Sequence, residues 1–310
     1  MWPSSQSIAD FYKTDLGQIT LTSLTQAVLK HAPLTPEQEP STKIILGIGQ
    51  SAPLLQALSE HNAFDNSSTK ELDFLSLSLN SLGAYSWPSE PLAQQKDKAG
   101  QHKAKLSLSA VAQGRALPFS DNSVDFIVMM HALEFSTSAP ELMQEAQRIL
   151  SDQGRLVLIV SNRMGLWSRS ERSPFGYGSP YSFQQTYSLL QPLTQMKIKS
   201  VTGALYFPPH KTSYRMMLSK YIEHWNLSWL RQALFMMAGV NILVIQKSST
   251  GAKKPLNLLR KQFSLAQFPL WYRPAIKPRL NSLPDGSVSQ RNSAPKEIHP
   301  VKDEIASKKP

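Results

Sequence analysis

Short, continuous apolar runs alternate with helix-forming segments along this chain, and that pattern limits the fold more than any other feature. Ile44-Ile45-Leu46, Phe126-Ile127-Val128 and Arg155 to Val160 are each too short for a helix and carry no polar alternation. Such runs suit strands buried on both faces, as in a parallel sheet. Between them lie helical signals. Pro53 to Leu58 reads as the first turns of a helix. Ser138 and Glu141 have the capping-box spacing ahead of Leu142, Ala146, Ile149 and Leu150, with Gly154 as the expected stop. Ser182 and Gln185 repeat the spacing ahead of Leu189, Leu190 and Leu193. Asp73 to Leu79, Leu106 to Val111, Lys197 to Leu205 and Val240 to Ile245 supply further strands. Strand, helix, strand, helix implies right-handed crossovers and an α/β, Rossmann-like doubly wound, seven-stranded, mainly parallel sheet with helices on both faces.

The remaining chain divides by composition. Residues 1–39 read as an N-terminal helical segment, with Leu21, Leu24 and Val28 on one face and Pro33 and Pro36 ending it. Residues 40–250 hold the sheet. Trp87-Pro88 begins a loop, Gln94 to Lys105 reads as a polar insertion, and Ser213 to Met237 as helical. Residues 251–310 are rich in Pro, Ser, Lys and Arg and read as a largely disordered tail, with one apolar island from Phe263 to Tyr272. The net charge of +11 is concentrated there: residues 247–310 carry 13 Lys/Arg against 4 Asp/Glu, and the rest carries 20 against 18. A charge argument for nucleic-acid binding by the whole protein therefore fails. The tail is instead expected to contact polyanions or an anionic membrane surface.

The absence of cysteine rules out disulfides, thiol nucleophiles and Cys-ligated zinc, and fits a cytoplasmic protein. The seven histidines show no metal-ligand spacing, so no metal is expected. The longest apolar stretch, Ala233 to Ile245, is too short to span a bilayer. In an open α/β sheet, ligands sit outside the carboxyl ends of the strands at the switch point. The first strand-to-helix turn, Gly47-x-Gly49-x-x-Ala52, matches a loose dinucleotide-binding pattern and also fits a plain glycine turn.

A longer signature narrows the function. Leu117-Pro118-Phe119, a turn, and Asp125 precede the central strand; His131-Ala132-Leu133-Glu134 follow it; then come Arg148-Ile149-Leu150 and Gly154-Arg155-Leu156. This run resembles the type-11 family of class I methyltransferases, over about residues 40–247. Asn162-Arg163-x-Gly165-Leu166-Trp167-Ser168-Arg169, Pro174-Phe175-Gly176-x-Gly178-x-Pro180-Tyr181-Ser182, Asp10-Phe11-Tyr12 with Leu16-Gly17, and Leu205-Tyr206-Phe207-Pro208-Pro209 resemble an alphaproteobacterial branch of it. The resemblance implies transfer of a methyl group from S-adenosylmethionine to an unknown acceptor. It implies cofactor contacts from Gly47, Ile48, Gly49, Gln50, Asn80, Gln113, Ala116, Leu117 and Met130. The family usually has acids at the end of strand one, at the end of strand two and beside the adenine. Leu46, Asn80 and Gln113 stand there instead, without charge-assisted strength. A degenerate, non-catalytic binding module is the first alternative. A nicotinamide-dependent oxidoreductase is the second, and it leaves the Leu117 signature unexplained.

Methyl transfer asks mainly for alignment of the nucleophile. His131, just past the fourth strand, is placed to take a proton from a hydroxyl or amine acceptor, or else caps the strand end. Arg163, Trp167, Arg169, Arg172, Tyr177 and Tyr181 form either a substrate-side lid for an anionic or planar group or a lid holding only its own structure.

Overall fold

The structure is a computed structural model; it describes residues 4–33, 43–64, 72–83, 108–171, 173–206 and 237–248. The expectations for Trp87-Pro88, for Gln94 to Lys105, for most of Ser213 to Met237 and for 251–310 lie outside the described residues. In chain order the elements are α1 (Ser5–Lys13), α2 (Asp15–His31), β1 (Lys43–Gly49), α3 (Ala52–Phe64), β2 (Leu72–Leu79), β3 (Leu108–Ala112), β4 (Val124–Met130), α4 (Ala139–Ile149), β5 (Leu150–Ser161), α5 (Phe183–Leu190), β6 (Met196–Ala204) and β7 (Val240–Lys247). Two short 3-10 turns, Trp167–Arg169 and Pro174–Gly176, lie between β5 and α5.

The seven strands form one sheet in the order β3-β2-β1-β4-β5-β7-β6. β1 to β5 pair in parallel, and β7 runs antiparallel between β5 and β6. The order reverses between β1 and β4, where Gly49 lies opposite Met130. That junction is the switch point at which an open parallel sheet offers a ligand crevice.

Strand residues alternate between two cores, as the pleat requires. Ile45, Val128, Val157 and Ile242 pack with Ile8, Tyr12, Leu24 and Val28 of the N-terminal helices and with Leu54 and Leu58 of α3. Leu46, Ile127, Leu156 and Leu243 pack with Leu142, Ala146 and Ile149 of α4 and Leu190 of α5. The N-terminal helices thus help cover one face of the sheet.

Three local expectations change. The N-terminal helical segment is two helices, broken at Thr14, which closes α1 through its N–H to the Phe11 carbonyl and caps α2 by accepting from the Gly17 N–H. The capping box at Ser182 and Gln185 forms, with both reciprocal bonds. The one at Ser138 and Glu141 does not: the Ser138 side chain makes no cap, its N–H goes to Ser136 Oγ, and Glu141 lies 3.8 Å from Arg115. Gly154 does not stop α4 either. The helix ends at Ile149 and β5 begins at once, with a left-handed residue at Gln153 (φ 67°).

Candidate active site

The glycines of the β1 turn have structural causes. A side chain on Gly47 would collide with Ser51 Oγ and Leu55 of α3. Gly49 is left-handed (φ 86°), and a Cβ there would lie 2.5 Å from the Met130 carbonyl and 2.9 Å from Ala132. One glycine lets α3 pack on β1; the other lets the β1 turn approach the end of β4. Gln50 continues that approach, its N–H donating to the Met130 carbonyl at 2.9 Å. Its side chain is 1% exposed, and neither amide atom has a partner; Ser51 Oγ is also buried and unpaired. The Ile48 and Met130 side chains are in the core.

Beyond β4 the chain turns through His131, itself left-handed (φ 53°) and 1% exposed. Its Nε2 is 2.9 Å from the Tyr12 hydroxyl of α1, while Nδ1 has no partner. Phe175 and Phe135 close around the ring, with centroids 4.7 and 6.4 Å away. Burial lowers the imidazole pKa to about 3, so the ring is neutral. Glu134 accepts the Ser161 N–H at 2.6 Å and leaves its other oxygen buried and unpaired. Burial holds its carboxyl above the ordinary range, against the pull of the Ser161 N–H. Burial, and then the Glu134 carboxyl, push the Tyr12 phenol well above its usual value.

On the β2–β3 side, Asn80 and Gln113 are exposed. The Asn80 N–H donates to the Ala112 carbonyl, and Gln113 forms a bridge with Ala116. Leu117 is buried, its N–H held by Glu145 at 2.9 Å. Arg148 donates to the carbonyls of Leu117 and Phe119, to Asp121 and to both oxygens of Glu145. The Leu117 to Arg148 signature is therefore a clamp that fixes the loop before β4 onto α4.

The segment after β5 is folded rather than loose. Trp167 is 1% exposed and stacks edge-on against Phe175 at 5.5 Å. Gly178 (φ 75°) lies over Glu134, where a Cβ would come 2.7 Å from its carbonyl, and the Ser179 N–H donates to that carbonyl. Tyr177 donates to the Glu171 carbonyl. Arg163 and Arg169 are exposed, and Tyr177 and Tyr181 half-buried. Arg163 and Tyr181 line an open groove with Ser182, Gln184 and Gln185. Arg172 lies outside the described residues. The lid residues thus divide: Trp167 belongs to the core, and the two arginines face solvent.

The structure gathers Gln50, Ser51, Met130 and His131 at one place. It places Asn80 just after β2, Gln113 just after β3, and Arg163 and Arg169 in the segment after β5. Sequence reasoning gave no site role to Tyr12, Glu134, Phe135 or Phe175. Three of these four stand inside quoted motifs, and that clustering was the available signal. Among the described residues no group of three or more His, Asp or Glu could hold a metal ion, and no helix is long and apolar enough to cross a membrane.

A family profile described as "Methyltransferase domain" matches residues 73–158. An uncharacterised protein of Methanocaldococcus jannaschii is 22% identical over 94 residues, which are 29% of this chain and 46% of that protein. The chain thus spans about half the length of the curated relative it matches. Among solved structures, a putative methyltransferase from Haloferax volcanii, in complex with the Trm112 methyltransferase activator, is 16% identical. The match covers 80% of this chain and 100% of that one, with a TM-score of 0.47. A possible histamine N-methyltransferase of Thermotoga maritima is also 16% identical, over 76% of this chain and 91% of that one, with a TM-score of 0.43. The residues that match this methyltransferase-domain profile, 73–158, run from β2 into β5 of the seven-stranded sheet.

Proposed function

We propose that this protein transfers a methyl group from S-adenosylmethionine to an acceptor bound at the carboxyl ends of β1, β4 and β5. The observation that carries the reading is the set of buried, unpartnered polar atoms at the switch point: both amide atoms of Gln50, Ser51 Oγ and His131 Nδ1. Buried polar groups are ordinarily paired, and leaving one unpaired costs about 1–3 kcal/mol. These neutral donors and acceptors fit the polar groups of S-adenosylmethionine, the cofactor that the family implies. When bound, it supplies an already activated methyl group on a sulfonium.

In this reading the Gly47–Gln50 turn holds the cofactor with the backbone of Ile48 and Met130, and Asn80, Gln113, Ala116 and Leu117 flank its nucleoside. His131 orients through a hydrogen bond. Its burial makes it a poor proton acceptor, which argues against the expectation that it deprotonates the acceptor. Arg163, Arg169, Tyr177 and Tyr181 offer cationic and aromatic groups to the acceptor from the β5 side.

A specific observation favours the degenerate module as a second reading: Asn80 and Gln113 present amides where the family usually has carboxylates. Calorimetric titration with S-adenosylhomocysteine, with NADH as control, separates the readings. Binding of the first alone supports cofactor use. Binding of neither supports the degenerate module, and binding of NADH alone an oxidoreductase.

A further inference from the structure

We propose that Tyr12 is a positioning residue: its phenol donates to Nε2 of His131 and holds the imidazole in the tautomer with its proton on Nδ1, so that Nδ1–H faces an acceptor oxygen of a bound ligand. The ligand side rests on the methyl-transfer reading above; the tautomer does not.

The number of protons the pair can hold fixes the tautomer. A neutral imidazole has one N–H, and a neutral phenol has one O–H. Both groups are neutral, because burial disfavours the imidazolium and the phenolate, and the nearby Glu134 carboxyl disfavours the phenolate further. The Tyr12 hydroxyl has two possible acceptors, His131 Nε2 at 2.9 Å and the Met130 thioether at 3.7 Å. A thioether is the weaker acceptor, so the phenol proton goes to Nε2. That leaves the ring proton on Nδ1, which is buried and without a partner. The rings of Phe135 and Phe175 offer it no acceptor oxygen. An acceptor oxygen on a ligand removes the cost of that unpaired donor.

The surroundings hold this arrangement. His131 keeps a left-handed backbone, a conformation that is uncommon for a non-glycine residue and that clusters at functional sites. Tyr12 reaches the ring on α1, which is fastened at its other end by Ser5. The Ser5 N–H donates to the Leu82 carbonyl, and Ser5 Oγ to the Gly83 carbonyl, in the turn after β2. The face that His131 offers to a ligand therefore depends on the N-terminal helix being seated.

Nitrogen NMR of the full chain with labelled histidine tests this, with the His131 signals among the seven histidines assigned by loss in His131→Gln. The expected result is a neutral ring with its proton on Nδ1 at pH 7. In Tyr12→Phe the ring is expected to leave that single tautomer, and S-adenosylhomocysteine to bind about tenfold more weakly. Ser5→Ala removes only the side-chain bond to the Gly83 carbonyl and keeps the backbone bond that seats α1, so it should keep the tautomer. A wild-type ring with its proton on Nε2 overturns the proposal, and this needs no variant to fold. So does a Tyr12→Phe protein with unchanged tautomer and affinity. Failure of the wild type to bind S-adenosylhomocysteine ends the methyl-transfer reading, and the tautomer measurement still decides the role of Tyr12.

Discussion

Glu134 shows how one buried side chain sets a pH dependence. Its carboxyl is raised by burial, so the folded pKa lies above the unfolded one. Its stabilising contribution is full below the unfolded pKa and is lost as pH rises through the folded pKa. Glu134→Gln keeps an acceptor for the Ser161 N–H and removes the charge. It should raise the melting temperature at pH 7–8, leave it unchanged near pH 4, and flatten the pH profile of thermal unfolding between them. Gly49 makes the complementary point. Its left-handed backbone and the nearby Met130 carbonyl predict that Gly49→Ala loses about 1–3 kcal/mol in urea denaturation. That loss should appear without any ligand. A bulkier variant such as Gly49→Val would therefore report on folding before it reported on binding. The Gly47 and Gly49 positions were legible in the sequence, but their cause was not. The spacing fits a phosphate-type turn and a packing turn equally, and only the neighbours, Leu55 and Met130, separate the two.

At the scale of elements, strands were easier to read than helix ends. A continuous apolar run has few alternatives to a buried strand, and β1, β4, β5 and β7 all lie where such runs stand. Helix ends depend on where single side chains turn: Ser182 caps and Ser138 does not, from the same spacing. The segment after β5 was legible as a motif and not as a structure, because arginine, aromatics and glycine suit a lid and a folded corner alike. Burial now divides it. Trp167→Ala should cost about 3–5 kcal/mol, as removal of a buried aromatic does. Arg169→Ala, at an exposed site, should stay within about 0.5 kcal/mol. Paired urea titrations check both values; equal effects would remove the division. Only after that control does reduced turnover in Arg169→Ala speak for an acceptor contact.

For the whole molecule, the question is which parts of the chain the sheet needs. The boundary expected near residue 40 separates segments that share one core: Ile8, Tyr12, Leu24 and Val28 pack with Ile45, Val128 and Val157. Removing residues 1–33 strips the apolar cover from one face of the central strands. The truncated chain should therefore fail to unfold cooperatively, or should aggregate on expression. For the other end, we propose that residues 251–310 add no stability and give the protein a salt-sensitive attraction to polyanions. The support is the charge distribution, with +9 of the net +11 carried by residues 247–310 beside a nearly neutral remainder. Attraction of this kind comes from counterion release and needs no base or headgroup reading. Truncation after Ser249 should leave the melting temperature within a degree or so and abolish low-salt retention on heparin. A drop of several degrees would place the Phe263 to Tyr272 island in the fold, and unchanged heparin retention would reject the electrostatic role.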